Sequence, residues 1–393
     1  MQALSPLPRF LSAFAWRTAA FLPVLAAFCS AASASAAGPG DDVSEIEEQI
    51  EAAAKATDIA ITPGRDILAV PLPITSPSLG TGLVAAGVAF YNPNGAPSPW
   101  ISGGAVMKTS NGNWLVGGFH SMSLDDDRIR LNGLVATGKI VADYYGIGAQ
   151  AGDRNVSTEL DQRMTVIRLQ AQTRLANRTY LGARLMYLDI DASGDAEPEY
   201  PDLVVPDRMA DSRLVQLGPV VTYDSRDDSL NPGSGLYAHA EWLFDLKALG
   251  GDFGSNRLTA GVSYYRPVAE RSVLAFHAGI CAASSNAPFY GLCLYGQNND
   301  LRGYKTGRYR DRASWAMQGE LRRRLKGRLG AVVFAGVGGI APSLSRIDDS
   351  RFLPAAGAGL RFQPSRDTNI NVRLDFAVGR DSSGLYLGIA EAF

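Results

Sequence analysis

NINVRLDFAVG, at residues 369–379, places an apolar side chain at every second position. The apolar positions are Ile370, Val372, Leu374, Phe376 and Val378, and the polar positions between them are Asn371, Arg373 and Asp375. Because successive side chains of a β-strand point to opposite faces, this period of two predicts a strand with one apolar and one charged face. No other feature of the chain bears as directly on its fold.

The same two-faced pattern recurs along the chain. It is present in TVIRLQAQTRL at 165–175, GLYAHAEWLFD at 235–245 and WAMQGELRRRL at 315–325. A secreted β-sandwich would alternate in the same way. Strand number favours another fold, because sixteen turn-bounded strands can be counted from 80 to 393, with separate strands near 129–137 and 141–150. The sequence predicts an all-β fold, a 16-stranded antiparallel transmembrane β-barrel, since closure satisfies the backbone hydrogen bonds that lipid cannot.

The N-terminal residues carry an export signal. Arg9 and Arg17 precede the apolar stretch TAAFLPVLAAFC, which leads into the small residues SAASASAAG. This order predicts a signal peptide over 1–37. A transmembrane helix is disfavoured, because the apolar stretch is shorter than the roughly 20 residues that a bilayer core requires.

A short helix is predicted between the signal peptide and the barrel. Ser44 and Glu47 have the spacing of a capping box, and apolar residues recur after them at helical spacing. The segment 38–66 either lies against the body of the protein in the periplasm or enters the lumen as a plug. The barrel itself is predicted over 67–393.

The connections alternate in length. SNGN, ANRT, NPGSG, RPVAER and LKGR are tight, and the links between them are longer and more polar. Since outer-membrane barrels have short periplasmic turns and long outer loops, this order predicts that both termini lie in the periplasm. Gly388 and the terminal aromatic Phe393, expected on the apolar face of the last strand, are predicted to form an assembly signal, although Glu391 departs from its usual pattern.

Composition argues against several classes of function. The formal net charge is −2 and charged residues make up 19% of the chain, so a nucleic-acid surface is not expected. The three histidines, His120, His239 and His277, are scattered without metal-ligand spacing. We expect no metal, no cofactor and no enzymatic activity.

Two cysteines remain in the predicted exported chain. Cys281 and Cys293 are twelve positions apart, in a compartment where disulfides persist. The spacing is compatible with one disulfide but does not establish the Cα approach that it requires. A bridge and two free thiols both stay open.

The segment QNNDLRGYKTGRYRD at 297–311 has no strand-like alternation and lies between the eleventh and twelfth predicted strands. Its LRGY, Leu301–Tyr304, resembles the signature of the sixth extracellular loop in BamA/TamA-type outer-membrane proteins, the bacterial surface antigen family. Other similar stretches are YDSRDDSLNPGSG at 223–235, GELRRRL at 319–325, NVRLDFAVG at 371–379 and GLYLGIAEAF at 384–393. The resemblance is specific from about 219 onward and looser upstream.

The resemblance implies a lock inside the barrel. The sixth loop of this family folds into the lumen, where the residue matched by Arg302 reaches an acidic group on the wall. The lock is expected to comprise Leu301, Arg302, Gly303, Tyr304, Glu320, Arg322 and Asp375, with Glu320 as the first partner of the arginine. Gly336 stands where many members have an aspartate that helps to hold this arginine, so either Glu320 suffices or Asp375 contributes.

The resemblance also implies location and function. It indicates a bacterial outer-membrane protein that aids insertion or translocation of protein or lipid. The expected partners are outer-membrane lipid and lipopolysaccharide, outer-membrane protein clients and the barrel-assembly machinery of the host. Only about 40 residues precede the first predicted strand, fewer than a folded domain needs, so a short member lacking periplasmic POTRA domains is expected. The alternative is a passive pore or structural barrel; an outer-membrane enzyme is least expected.

Overall fold

Sixteen strands close into an antiparallel barrel in which each strand pairs with its neighbours in sequence and the first pairs with the last. The structure is a computed structural model. It describes residues 50, 66–76, 80–93, 100–194, 199–296, 301–364 and 369–393. The predicted fold class is therefore confirmed.

The wall strands are numbered β1–β16 in chain order. They are β1 (Asp66–Ser76), β2 (Gly80–Tyr91), β3 (Trp100–Thr109), β4 (Trp114–Leu124), β5 (Ile129–Tyr144), β6 (Thr158–Ala176), β7 (Thr179–Gly194), β8 (Asp211–Asp224), β9 (Gly235–Asp245), β10 (Asn256–Ala269), β11 (Ser272–Ala283), β12 (Ala313–Arg324), β13 (Leu329–Ala341), β14 (Arg351–Phe362), β15 (Val372–Gly379) and β16 (Ser382–Ile389). Two further short strands, Cys293–Leu294 and Arg310–Asp311, pair with each other inside one connection.

The connections divide the barrel into two ends. Those that follow odd-numbered strands include the longest, and they carry every short helix that the described residues contain from β1 onward; we call this the loop end. These helices are Ala149–Arg154, Pro201–Leu203, Asp207–Ala210, Lys247–Leu249, Phe289–Gly291 and Leu344–Asp349. The connections that follow even-numbered strands form the turn end, where β1 begins and the chain ends. By the rule of short periplasmic turns, the turn end is expected to face the periplasm.

Large apolar side chains cover the outside of the wall. Leu360, Phe376 and Val333 are 60%, 54% and 56% exposed, and similar residues occur on most strands. A water-soluble protein rarely presents so continuous an apolar surface, whereas a lipid-facing barrel requires one. The outer face is therefore the one that contacts hydrocarbon.

The inner face is not uniformly ionic. The strands β9, β10, β12 and β15 present the polar inner residues that alternation predicts, whereas β13 turns Val332, Phe334 and Ile340 inward. The strands β2–β5 instead turn apolar side chains inward: Val84, Val88, Met107, Leu115, Phe119, Leu134 and Ala136. Ile50, which is helical and 2% exposed, packs against this apolar part of the wall.

Two errors in the strand assignment cancel in the total. Residues 66–76 form a strand that the sequence count omitted, because Pro71 and Pro73 argue against a strand. Residues 129–144 form one strand rather than two. The predicted strands that lie between these two places therefore carry numbers that are one too low. As a result, SNGN at 110–113 joins β3 to β4 at the loop end and is not a periplasmic turn.

Some predictions fall outside the described residues. The signal peptide over 1–37 does so entirely, as does the helical segment 38–66 apart from Ile50 and the first residue of β1. In the part of the chain that is described, no helix is long and apolar enough to cross a membrane.

The seam between the first and last strands is weakly paired. β1 faces β16 at a single registered position, Thr75 opposite Leu387, but pairs with β2 along its whole length. Pro71 and Pro73 both take part in the ladder with β2. Since a proline has no N–H to donate, each occupies a position whose backbone nitrogen points away from β2 and toward the seam. Continuing the seam register would place Pro73 opposite Ile389, where a proline contributes no N–H. The seam can therefore form fewer hydrogen bonds than the other joins, for a reason built into the sequence.

Replacing Pro73 with valine is expected to strengthen the seam. The new N–H supplies the donor opposite Ile389, and one net hydrogen bond is worth about 1 kcal/mol. Hydrogen exchange of the Thr75 amide, at the registered pair of the seam, should slow by about fivefold to tenfold in the purified barrel as the seam opens less often. Pro219→Val is the matched control, since Pro219 lies at a gap in the ladder between β8 and β9. Equal slowing at Thr75 in both variants would contradict this account of the seam.

Candidate functional site

The connection between β11 and β12 enters the barrel instead of standing in solvent; we call it loop six. Its residues 301–311 are buried except for the half-buried Lys305. The Arg308 Nε donates to the Gly152 carbonyl oxygen (3.0 Å), and the Tyr309 hydroxyl donates to Asp153 (3.0 Å), so the loop rests on the helix Ala149–Arg154. Burial raises the pKa of the Tyr309 phenol to about 12, so it stays protonated and able to donate.

Arg302 occupies the centre of this arrangement and is fully buried. Its guanidinium forms ion pairs with Glu320 on β12 and Asp375 on β15, which are also fully buried at their carboxylates. The Arg302 Nη2 donates to the Gln318 side-chain oxygen (3.0 Å), and the guanidinium stacks 3.7 Å from the centre of the Phe334 ring. The planar fork of arginine is suited to two acceptors and an aromatic face at once.

Further arginines neutralise the same two carboxylates. Arg322 Nε donates to Glu320 (2.9 Å), and Arg361 Nη1 donates to Asp375 (2.5 Å). A buried ionic cluster stabilises a structure only when its charges are paired and its lone pairs are used, and here Glu320 has two cationic partners and Asp375 has three. The structure thus brings Arg302, Glu320, Arg322 and Asp375 together in one network.

The residues beside Arg302 position it by close packing. Gly303 has φ 116°, a left-handed value that favours glycine, and its N–H donates to the Tyr386 hydroxyl of β16 (2.9 Å). The Tyr304 hydroxyl donates to the Pro354 carbonyl oxygen (2.6 Å) and accepts the Arg380 N–H (3.0 Å). Loop six is therefore attached to the walls on both sides of β15.

The missing aspartate at Gly336 has a steric explanation. A Cβ at this position would lie 2.5 Å from Leu301 Cδ1 and 2.3 Å from the Met317 carbonyl oxygen. Leu301 fills the space that a larger side chain would take, and Asp375 supplies the second carboxylate for Arg302. Of the two possibilities that the sequence left open, the structure places both Glu320 and Asp375 on the arginine.

Cys281 and Cys293 are joined by a disulfide, with their Cα atoms 5.7 Å apart. Cys281 lies on β11, and Cys293 begins the first short strand of loop six. The bond ties the entry of the loop to the wall from which it departs. The sequence alone left this pairing open.

The position expected for Phe393 on the outer face is wrong. β16 ends at Ile389, and Ala390 has φ 68°, which turns the last residues inward. The Phe393 ring lies 5.3 Å from that of His277, and the Arg322 Nη2 donates to the Phe393 main-chain oxygen (3.0 Å). The residues 390–393 form a C-terminal tail inside the turn end, while Gly388 remains in the wall, and the role of both as an assembly signal stays a prediction.

Sequence reasoning missed several members of the network. Glu391 accepts from Arg361 Nε (2.7 Å) and from Asn371 Nδ2 (2.8 Å), so the residue that departs from the usual terminal pattern is a buried anion of the tail. Tyr386 and Gln318 were also missed. Their inward position follows from strand parity, which places Tyr386 in register with Asp375 and Gln318 two residues from Glu320.

The Omp85 superfamily domain matches residues 84–393, more than half of the chain. The chain belongs to the Omp85 superfamily. The resemblance to BamA/TamA-type proteins is thereby confirmed, and the protein resides in the bacterial outer membrane. A search of curated proteins found no match.

Solved structures of Omp85 proteins share this fold. BamA from Haemophilus ducreyi lacking POTRA domains 1–3 is 14% identical with a TM-score of 0.57, over 84% of this chain and 70% of that one. CdiB from Escherichia coli is 14% identical (TM-score 0.57, 85% and 64%), and CdiB from Acinetobacter baumannii is 11% identical (TM-score 0.57, 84% and 60%). The chain spans less than two thirds of either CdiB, and at these identities the likeness shows the fold alone.

Arg302→Gln is expected to destabilise the barrel strongly. It removes the central cation and leaves Glu320 and Asp375 with one fewer partner each, a loss of about 3–5 kcal/mol in the free energy of unfolding. Urea unfolding in lipid vesicles measures it, with Arg346→Gln as the control because the Arg346–Asp349 pair is exposed. A change below 1 kcal/mol for Arg302→Gln would show that the lock does not hold the fold.

Gly336→Ala is expected to destabilise by about 1–3 kcal/mol, because the added methyl group must displace Leu301 or the strand beside it. Gly319→Ala is the matched control, since a Cβ there meets nothing within 4 Å. The control should leave stability unchanged or raise it by about 0.5 kcal/mol. Equal effects of the two substitutions in urea unfolding would refute the packing explanation for Gly336.

Proposed function

We propose that this Omp85 barrel aids the insertion or translocation of protein or lipid at the outer membrane by opening its seam. The observation that carries the proposal is the single registered pair between β1 and β16. Elsewhere the wall is closed by continuous or nearly continuous ladders. A barrel that can open at the seam between β1 and β16 offers a strand edge with which another strand can pair.

Two features support seam opening in physical terms. β15 and β16 have only 8 residues each, against 16 and 19 for β5 and β6, so little backbone holds the last strand in place. The edge of β1 retains free acceptors next to Pro71 and Pro73 while presenting few donors. An exposed strand edge is a template for strand addition, and a client strand that arrives with its own donors is suited to this edge.

The lumen argues against a wide passive pore as the main role. Loop six and the C-terminal tail bring buried arginines, tyrosines and Phe393 into the interior, where an open channel needs water. We further propose that the role is not enzymatic, and that lipopolysaccharide, outer-membrane protein clients and the host assembly machinery are its partners.

Linking the seam covalently is expected to abolish the activity. Thr75→Cys with Leu387→Cys places two cysteines at the one registered pair of the seam, and Leu321→Cys with Val333→Cys does the same between β12 and β13. The assay measures how fast a urea-unfolded small barrel protein inserts into vesicles that contain each variant. The oxidised seam variant should lose at least tenfold in rate and recover on reduction, while the control pair stays active through the same cycle.

Full activity of the oxidised seam variant would refute seam opening. Single-channel recording on the same vesicles tests the alternative. Steady large conductance in the unmodified barrel, with no acceleration of insertion, would assign the protein to passive pores. Low conductance that rises in Arg302→Ala would instead be the result expected of a barrel whose loop six occupies the lumen.

A further inference from the structure

A polar cavity opens at the turn end, beneath the ionic network. Its volume is about 290 Å³, at the lower limit of small-molecule sites. It is lined by the ends of β10–β14 and by the C-terminal tail. Six arginines contribute to the lining: Arg271, Arg322, Arg323, Arg324, Arg328 and Arg361.

The cavity carries an excess of positive charge. Among the described residues that line it, the acids are Asp227, Glu270 and Glu391, so six cations face three anions. Two of these anions are already engaged. Asp227 accepts the N–H groups of Gly233 and Ser234, and Glu391 accepts from Arg361 and Asn371.

One arginine of the lining carries a buried donor that has no hydrogen-bond acceptor among the described residues. Arg322 is 7% exposed and lines the cavity, and its Nη1 has no hydrogen-bond partner among the described residues. Its other two nitrogens are used, Nε by Glu320 and Nη2 by Phe393. Leaving a buried charged donor unsatisfied costs about 1–3 kcal/mol or more, so an anion in the cavity toward which the Arg322 side chain turns would reduce a penalty that the folded protein carries.

We propose that this cavity binds a phosphate group. The forked guanidinium of arginine matches the oxygens of phosphate. Several arginines around one site can neutralise the two negative charges of phosphate, whereas a carboxylate carries only one. The site shares Arg322 and Arg361 with the ionic network around Arg302 but lies away from the seam, and nothing in the proposed function depends on it.

The position of the arginines suggests where the phosphate comes from. Arg322 and Arg324 lie on the inner face at the end of β12, whereas Arg323 between them lies on the outer face and is exposed. The cluster therefore connects the lumen with the level at which phospholipid headgroups surround the barrel. A phospholipid headgroup and free phosphate share the chemistry, and the experiment separates them.

Titration calorimetry on the purified barrel in neutral maltoside micelles and phosphate-free buffer tests the proposal. The probes are inorganic phosphate, monomeric dihexanoyl phosphatidic acid, and acetate as the carboxylate control. Arg324→Gln with Arg328→Gln should weaken phosphate or phosphatidic acid binding by at least tenfold. Arg128→Gln with Arg346→Gln removes the same charge away from the cavity and should change the affinity by less than twofold.

Each outcome bears on the assignment. Binding of phosphatidic acid alone supports a lipid headgroup, and binding of inorganic phosphate, with or without the lipid, supports a site for free phosphate. Binding of neither probe overturns the proposal. So does acetate binding as tightly as phosphate, or equal weakening in the two double variants, which would reflect net charge alone. The heat-induced gel shift of each variant confirms that it remains a folded barrel.

Discussion

A barrel in hydrocarbon must satisfy every backbone hydrogen bond within itself, because lipid offers neither donor nor acceptor. Fifteen of the sixteen joins in this wall meet that demand with extended ladders, and the seam does not. Pro71 and Pro73 prevent a full ladder from forming whatever the register. The sparse pairing of β1 with β16 is thus an energetic penalty that the rest of the molecule has to outweigh, and the strand addition proposed above would relieve it.

The ionic network is the main compensation on the inner side. Four arginines and three carboxylates connect loop six, β12, β14, β15 and the C-terminal tail, all in the half of the barrel that ends at the seam: Arg302, Arg322, Arg361, Arg373, Glu320, Asp375 and Glu391. The opposite half is held by apolar contacts around Val88 and Leu134. Directional ion pairs thus position the strands on the β16 side of the seam, and non-directional packing supports the strands on the β1 side.

Alternation of the kind seen in 369–379, together with the number of strands, was sufficient to predict the barrel. It missed β1, where two prolines interrupt the strand pattern, and it divided β5 into two strands, although β2, β3 and β4 were predicted. At the site, the resemblance of LRGY and GELRRRL to family motifs located Arg302 and Glu320, and strand parity placed Asp375 on the charged face. The contacts of Glu391 and Phe393 could not be predicted from the sequence. They depend on the left-handed backbone conformation of Ala390, and the sequence has no glycine at this position to indicate it.

The C-terminal tail connects the last strand of the seam to the ionic network around Arg302. β16 is followed at once by Glu391, whose carboxylate is held by Arg361, while Arg361 also holds the carboxylate that receives Arg302. Tyr386 of β16 bonds directly to Gly303 of loop six. Moving β16 away from β1 by any large rotation therefore breaks contacts to the loop, whereas moving β1 away breaks none of them. Because the prolines are also on β1, the proposed opening of the seam would break fewer of these contacts if the first strand moved and the last strand stayed attached to the lumen.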